Sequence, residues 1–223
     1  MPWVLHRFLC LEKGSTASKF VYKTMLSNSR VKPAAFQHDA AFDALYPEQV
    51  RELSKHHWTP LSVAKKAAQF LAHKPDASIL DIGSGVGKFC LAGAHYQPQA
   101  RFYGVEQRES LHEVAQATQT ILGVENAQFL HGNFTQLDLQ AYDGFYFYNA
   151  FFENLDQQRA IASDIAHSVS LYTYYSRYLF KALENAKSGT RLVSFHSLED
   201  EIPQSYHLVD ISDDQLLKMW IRR

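Results

Sequence analysis

Beyond residue 75 the chain alternates short apolar runs with segments of helical spacing. The apolar runs are ASILDIG, RFYGVEQ, AQFLHGNF, GFYFYNAFF and TRLVSFHSL, and the helical segments include KFCLAGAHY, SLHEVAQATQTIL and a stretch ending near Asn185. This alternation predicts an α/β fold in which helices cover a parallel sheet. Two final runs, SYHLVDI and LLKMWIRR, flank the turn-prone Ser212 to Asp214. We therefore expect a mostly parallel seven-stranded sheet with an antiparallel C-terminal hairpin strand.

Residues 15 to 71 follow a different pattern, with apolar residues three and four positions apart, which is typical of amphipathic helices. Thr59 and Pro60 form a helix start signal, in which Thr59 caps the helix and Pro60 takes the first helical position. A helix is therefore predicted from Pro60 to Ala72. The change of pattern divides the chain into a helical N-terminal extension, residues 1–58, and a ligand-binding domain, residues 59–223. We expect the extension to form a lid or a wall of the acceptor site.

The composition is that of a globular protein with one sizeable core, because 46% of its 223 residues are hydrophobic. Its formal net charge is −1, from 22 basic and 23 acidic side chains, which argues against a protein held on duplex DNA by many phosphate contacts. Nucleic acid is therefore not an expected partner. The charge is uneven, since residues 1–74 contain 11 Lys or Arg against 5 Asp or Glu. This part either meets an acidic partner or presents its lysines to solvent.

The positions of the cysteines and histidines do not predict a metal site. Cys10 and Cys90 are far apart and form no CxxC pair, so neither a disulfide framework nor a zinc site is predicted. The neighbouring His56 and His57 do not face one point on a helix or a strand, and no metal site is predicted there. Two isolated cysteines fit a reducing compartment, and no apolar window reaches 18 uncharged residues. We expect a cytoplasmic protein without a membrane span.

The segment ILDIGSGVGKF, residues 79–89, places three glycines directly after a buried strand. Bare backbone at such a position lets the chain approach a ligand closely and turn sharply into a helix. A phosphate-binding P-loop is excluded, because Ile82 stands where its first glycine belongs and Phe89 replaces its hydroxyl residue. A dinucleotide fingerprint fits poorly, because its third glycine would fall on Lys88.

What remains is an acidic residue followed by GxGxG, and this pattern resembles the first motif of class I S-adenosylmethionine-dependent methyltransferases. The resemblance implies a Rossmann-like methyltransferase domain with S-adenosylmethionine as its cofactor. A structural turn without a ligand is the competing interpretation. The resemblance places the methionyl ammonium near the acidic residue and the nucleoside against the glycines. The loop residues that it implies for cofactor binding are Asp81, Gly83, Ser84, Gly85 and Gly87.

The ends of the next two strands supply further candidates for cofactor binding. Glu106 lies at the tip of the second strand, where a carboxylate can accept both ribose hydroxyl protons. After the third strand, Asn133 can accept a hydrogen bond from the adenine amino group, and Phe134 can stack on the ring. The alternative for Glu106 is an ordinary carboxylate at a strand end, and the alternative for Asn133 is a plain Gly-Asn turn without a ligand. Ahead of the loop, Trp58-Thr59-Pro60 resembles an element that covers the methionine end of the cofactor in amino-group methyltransferases. Thr59 is therefore a further candidate for cofactor binding.

The fourth strand, within GFYFYNAFFEN, carries Asn149 to the edge where open α/β sheets bind ligands. The segment Asn149 to Phe152 is a degraded relative of the Asn-Pro-Pro-Phe/Tyr motif of methyltransferases that modify planar amino nitrogens. It lacks both prolines. The methyl acceptor of those enzymes therefore cannot be assigned to this chain. The resemblance also implies that Asn149 contacts the cofactor.

Four segments together resemble the histone lysine methyltransferases of the disruptor-of-telomeric-silencing type more closely. They are Asp81 to Gly87, Gly104 to Glu106, Gly132 to Phe134 and Asn149 to Phe152. The likeness spans residues 79–155 and concerns the cofactor more than the acceptor. It implies methyl transfer to a nitrogen, with a protein side chain slightly preferred over a small molecule.

If the acceptor is a lysine, three residues of this segment are candidates for a part in the reaction. Asn149 would aim the lone pair of the acceptor nitrogen, and Phe152 would help to desolvate an acceptor lysine and so lower its pKa. Glu153 is the nearest proton acceptor, unless it is an exposed residue at a helix start. Two other functions stay open, namely a non-catalytic cofactor-binding sensor or partner subunit and a nicotinamide-dependent oxidoreductase.

Overall fold

The structure is a computed structural model that describes residues 34–52, 54–151, 168–197 and 201–223. Seven strands in these ranges form one sheet. They are β1 (Ser78–Ile82), β2 (Arg101–Glu106), β3 (Ala127–His131), β4 (Gly144–Tyr148), β5 (Arg191–Phe195), β6 (Tyr206–Ile211) and β7 (Leu217–Arg222). Their order is β3-β2-β1-β4-β5-β7-β6, with β1 to β5 parallel and β7 antiparallel to both neighbours. The predicted parallel sheet with an antiparallel C-terminal hairpin is confirmed.

The described ranges also contain seven α-helices. They are α1 (Asp39–Asp43), α2 (Glu48–Arg51), α3 (Ser54–His57), α4 (Leu61–Leu71), α5 (Lys88–Tyr96), α6 (Glu109–Leu122) and α7 (Val169–Glu184). Two short 3-10 turns, Phe134–Gln136 and Leu139–Ala141, lie between β3 and β4. Within these ranges, no helix combines the length and the apolar character that crossing a bilayer requires.

Helices cover both faces of the sheet, because alternate residues of each buried strand point to opposite sides. Ile79 of β1 packs in a cluster with apolar residues of α4, α5 and α6. Its neighbour Leu80 packs in a second cluster with Leu179 and Leu183 of α7. Both residues are fully buried. The result is a three-layer fold in which all five parallel strands end at the same edge of the sheet.

The start of α4 differs from the prediction. The helix begins at Leu61, and Thr59 does not cap it, because its Oγ1 lies 2.8 Å from Oη of Tyr146 in a buried hydrogen bond. The backbone N–H of Leu61 instead donates to Oδ1 of Asp39, 2.9 Å away. The side chain of Asp39 in α1 therefore supplies the cap that the local sequence assigned to Thr59.

A buried lysine fastens the described part of the predicted extension to the glycine loop. Lys88 is 4% exposed, and its Nζ lies 2.7 Å from Oδ1 of Asp39 and 2.6 Å from Oδ1 of Asp43. Nearby, the hydroxyl of Tyr46 donates to the carbonyl oxygen of Val86, 3.1 Å away. Lys88 is thus a structural cation that holds α1 against the start of α5.

We expect the double substitution Asp39→Asn and Asp43→Asn to lower the free energy of unfolding by about 3 kcal/mol, because it leaves a buried ammonium without either counter-charge. Urea denaturation measures this loss. Lys66→Ala is the matched control, since Lys66 and Asp210 pair at 3.1 Å with both side chains 47% exposed. That pair should contribute less than about 1 kcal/mol. Equal losses in the two variants would show that burial of Lys88 does not matter.

Candidate active site

A cavity of about 500 Å³ opens at the carboxyl ends of the parallel strands, with His57, Trp58 and Thr59 on its N-terminal side. All but one of the predicted site residues in the described ranges line it. The lining members are Thr59, Asp81, Gly83, Ser84, Gly85, Glu106, Asn133, Phe134 and Asn149. The exception is Gly87, and the predicted catalytic residues Phe152 and Glu153 lie outside the described residues.

The three glycines of the loop have positive φ angles but different roles. A Cβ on Gly83 would lie 2.5 Å from Cβ of Ala150, and one on Gly87 would lie 2.4 Å from the ring of Phe129. These two glycines are required by close packing of the protein itself, and contact of Gly87 with the cofactor stays a prediction. A Cβ on Gly85 would meet no atom within 4 Å. The space for a ligand is therefore beside Gly85.

The carboxylate of Glu106 holds this loop in place. Its Oε2 accepts the N–H of Gly85 at 3.0 Å, and its Oε1 accepts the N–H of Arg108 at 2.9 Å. Nη1 of Arg108 lies 3.3 Å from the same Oε1, and both side chains are almost completely buried. Glu106 thus organises the cavity before any ligand binds, and contact with a ribose would come in addition. Sequence reasoning did not identify Arg108 as its partner.

Asp81 carries a carboxyl group in an unfavourable environment. It is 4% exposed, and burial raises its pKa to about 8, with the charge of Glu106 acting in the same direction. The thiol of Cys90 donates to its Oδ2 at 3.7 Å and opposes the shift. A buried carboxylate is best stabilised by an opposite charge. An alkylammonium group of a ligand would supply that charge.

The residues after β3 form a hydrogen-bonded turn at the cavity wall. Oδ1 of Asn133 accepts from the N–H of Thr135 at 3.1 Å and from its hydroxyl at 2.9 Å. Nδ2 of Asn133 donates to Oη of Tyr175 at 2.9 Å. The ring of Phe134 stacks on that of Phe151 with centroids 5.2 Å apart. The amide oxygen predicted to accept from adenine is therefore already used within the turn, whereas the ring of Phe134 lines the cavity as expected.

The carboxyl ends of β4 and β5 bring together two residues with left-handed backbone. Asn149 has φ +43° and His196 has φ +56°. Tyr148 pairs in register with Phe195, so Asn149 and His196 are the first residues beyond two adjacent strands. Both line the cavity.

The lining residues that were not predicted as site residues include Gln107, Tyr175 and His196. The sequence did contain one signal, because His196 follows the fifth apolar run as Asn149 follows the fourth. Gln107 directly follows β2, and its Oε1 accepts from Nδ2 of Asn133 at 3.3 Å. Tyr175 comes from α7, and its place at the cavity depends on how that helix packs across the sheet.

The sheet order and the cavity define a class I S-adenosylmethionine-dependent methyltransferase. The family model described as a methyltransferase domain matches residues 73–211, and the chain therefore belongs to that family. The cofactor is S-adenosylmethionine, as the glycine loop implied.

Comparison with curated proteins finds a tRNA (guanine-N(7)-)-methyltransferase of Synechococcus sp. (strain JA-3-3Ab) that is 50% identical over 54 residues. This match covers 24% of the present chain and 23% of the relative, so the chain matches about a quarter of that protein's length. A protein of the same name from a second Synechococcus strain is 48% identical over 54 residues, with the same coverage. These proteins do not include a histone lysine methyltransferase, and the finer resemblance to that group finds no support in them.

Two solved structures share the fold at low sequence identity. TrmN from Thermus thermophilus has a TM-score of 0.56 and 14% identity, over 78% of this chain and 52% of that one. A mutant of MtNAS in complex with S-adenosylmethionine has a TM-score of 0.52 and 13% identity, over 89% of this chain and 72% of that one. At these identities the likeness concerns the fold alone.

The residues present fit S-adenosylmethionine on three observations. Gly85 leaves open space where the ligand must approach the backbone. Asp81 is a buried carboxyl group suited to an ammonium. The hydroxyl of Ser84 is buried and has no hydrogen-bond partner among the described residues, which leaves it free for a polar group of the ligand. The cavity is thus built for a molecule with a cationic end and a bulky polar end.

We expect Gly85→Arg to abolish cofactor binding, because the side chain would occupy the space beside the loop. Gly189→Arg is a matched control, since Gly189 also has positive φ and open space around its Cβ but does not line the cavity. Both variants carry a similar backbone strain of about 1–2 kcal/mol. Titration calorimetry with S-adenosylhomocysteine should therefore detect binding by the Gly189 variant alone. Unchanged affinity in the Gly85 variant would place the ligand elsewhere.

Cofactor affinity should also depend on pH through Asp81. Below pH 8 Asp81 takes up a proton in the free protein, so the attraction for an ammonium weakens by up to about tenfold per pH unit. Above about pH 8 the α-amino group of the ligand itself loses its charge. Calorimetry from acidic to alkaline pH should give a maximum near pH 8.

Asp81→Asn tests the source of this pH dependence. The variant should bind the cofactor more weakly at pH 8 and lose the acidic limb of the profile, because its side chain cannot titrate. An acidic limb that persists in this variant would assign the titration to another group.

Proposed function

We propose that this protein transfers a methyl group from S-adenosylmethionine to a nitrogen of a nucleobase in RNA. The observation that carries the proposal is the position of Asn149, whose side chain combines a donor and an acceptor at the edge of the cofactor cavity. An amide can hydrogen-bond to a planar nitrogen acceptor and hold it in one orientation.

The surroundings of Asn149 suit a flat, aromatic acceptor. Phe151, Tyr148 and Tyr175 line the same cavity, and the rings of Phe151 and Tyr175 lie with centroids 5.5 Å apart. Aromatic side chains stack on bases irrespective of sequence, and stacking contributes about 1–3 kcal/mol per base. The names of the two Synechococcus relatives, which are tRNA methyltransferases, support the same acceptor class.

An RNA acceptor departs from two expectations of the sequence analysis. The near-zero net charge argued against nucleic acid, but the excess of basic residues within 1–74 is compatible with a phosphate backbone. The slight preference for a protein side chain rested on the resemblance to histone lysine methyltransferases, which the relatives do not support. Methylation of a protein side chain is therefore kept as one possible outcome of the labelling test below.

Catalysis in this cavity is mainly a matter of position. When bound, the cofactor supplies an electrophilic methyl group, and little covalent help from the protein is needed. Asn149 orients the acceptor nitrogen, and a reacting distance of about 3–3.5 Å lowers the barrier by up to roughly 7–11 kcal/mol in favourable cases. Trp58, 8% exposed, lines the N-terminal side. We further propose that Trp58 and Thr59 cover the methionine end of the cofactor.

The acceptor class is tested by incubating the protein with cofactor carrying a labelled methyl group and a fractionated lysate. We expect the label in nuclease-sensitive RNA, because the cavity walls suit a base. Label in protease-sensitive material would overturn the RNA assignment. Cofactor binding without transfer to any fraction would overturn catalysis and favour the binding-module alternative.

The role of Asn149 is tested by Asn149→Gly, which removes the amide and keeps the left-handed backbone. We expect kcat to fall on the order of 100-fold, as when one oriented donor is lost, and this loss should exceed any loss of cofactor affinity. Asn185→Ala, at the exposed end of α7, is the control and should leave kcat unchanged. Methyl transfer at the normal rate by Asn149→Gly would contradict the proposed orientation.

A further inference from the structure

His196 stands at the active-site edge of β5 in the same relation to its strand as Asn149 to β4. Adjacent strands in a sheet lie about 5 Å apart, and the register pairs Tyr148 with Phe195 just before these two residues. Asn149 and His196 are therefore lateral neighbours, and both line the cavity.

The backbone of His196 is held in a conformation that costs energy. Its φ of +56° lies in the left-handed region, which is strained for a residue with a Cβ. The N–H of His196 donates to the carbonyl oxygen of Leu216 at 3.0 Å, so pairing with β7 maintains the strain. Such strain often marks a functional position, and here it occurs at both Asn149 and His196.

The imidazole of His196 is exposed and packs against aromatic rings. It stacks on Tyr148 with centroids 5.5 Å apart, and it meets the ring of Phe195 edge-on at 4.4 Å. These contacts orient the ring at the cavity mouth while leaving it in reach of solvent. Histidine is also the side chain that enzymes use most often for proton transfer.

We propose that His196 accepts the proton that the acceptor nitrogen releases on methylation, and that the acceptor is therefore a nitrogen bearing hydrogen, such as an exocyclic amino group of a base. This inference rests on the proposed function and narrows its substrate class. A ring nitrogen with a free lone pair and no hydrogen would release no proton and would need no such residue. Guanine N7, for which the two Synechococcus relatives are named, is such a nitrogen, so the acceptor atom proposed here differs from theirs, and only the RNA class is shared.

The step balances without a further reactant. The lone pair of the acceptor nitrogen forms the bond to the methyl carbon, and the electrons of the broken carbon–sulfur bond stay on sulfur, which loses its positive charge. The N–H bond of the acceptor breaks, its electrons stay on nitrogen, and the proton moves to an imidazole nitrogen of His196. Because His196 is exposed, the proton passes on to solvent.

Several titratable groups lie near His196 or line the same cavity. Asp214, in the turn between β6 and β7, has a pKa lowered mainly by the hydroxyl of Ser212, with a smaller contribution from attraction to His196. Glu106 lines the same cavity but is paired with Arg108, and Asp81 lines it as a carboxyl group whose pKa is raised by burial. On the β4 side the neighbour is the phenol of Tyr148, whose pKa is raised by burial, so it stays neutral.

The test is chemical rescue of His196→Gly. Glycine adopts positive φ without strain, so this variant should fold and bind S-adenosylhomocysteine with unchanged affinity. We expect its kcat on the acceptor fraction to fall on the order of 100-fold or more. Added free imidazole should restore the rate in proportion to its concentration. His131→Ala is the control, since His131 ends β3 but does not line the cavity, and its rate should match the wild type with or without imidazole.

Each other outcome overturns a defined part of the proposal. Full activity of His196→Gly, or a slow variant that imidazole does not rescue, would show that His196 takes no proton while leaving methyl transfer to RNA intact. Mass spectrometry that places the methyl group on a ring nitrogen without hydrogen would overturn the acceptor class. Absence of transfer by the wild-type protein would overturn the proposed function and this inference together.

Discussion

Parallel pairing of neighbouring strands is the constraint on which the whole site depends, because it brings the carboxyl ends of β1 to β5 to one edge of the sheet. Asp81, Glu106, Asn133, Asn149 and His196 lie far apart in the sequence, yet each lies at or just beyond the end of one of these strands. The registers then set the finer arrangement. They place the end of β1 beside that of β2, where the carboxylate of Glu106 holds the N–H of Gly85.

The buried charged side chains at this edge of the sheet differ in role, because some are paired within the protein and one is not. Lys88 is paired by Asp39 and Asp43, so its charge is used to hold the N-terminal helices. Glu106 accepts two backbone N–H groups and the guanidinium of Arg108, so it is already satisfied. Asp81 is different, since burial raises its pKa, and among the described residues it meets the thiol of Cys90 and the repulsion of Glu106 but no cation. Keeping a carboxyl group in that state costs stability, and a cationic ligand is what would offset the cost.

The acceptor side of the cavity has another physical character. It is formed by aromatic rings and by two residues with strained backbone, Asn149 and His196, rather than by buried charges. An amide that orients the acceptor and an imidazole that takes its proton would divide the work of the transfer. The cofactor side is organised before binding by hydrogen bonds within the loop, whereas the acceptor side offers exposed groups to an incoming base.

The sequence by itself determined the α/β class, the terminal hairpin and most of the cofactor cavity, because strand periodicity and the glycine spacing are local features that one chain segment carries alone. It could not determine which loop glycine faces the ligand, since Gly83 and Gly87 are required by Ala150 and Phe129, which are distant in sequence. Thr59 was assigned as a helix cap for the same reason, although its hydroxyl bonds to Tyr146 across the fold. The pairing of Lys88 with α1 and the approach of His196 to Asn149 likewise depend on contacts between remote segments. Only tertiary structure decides such contacts, because they arise from strand order and packing rather than from the properties of neighbouring residues.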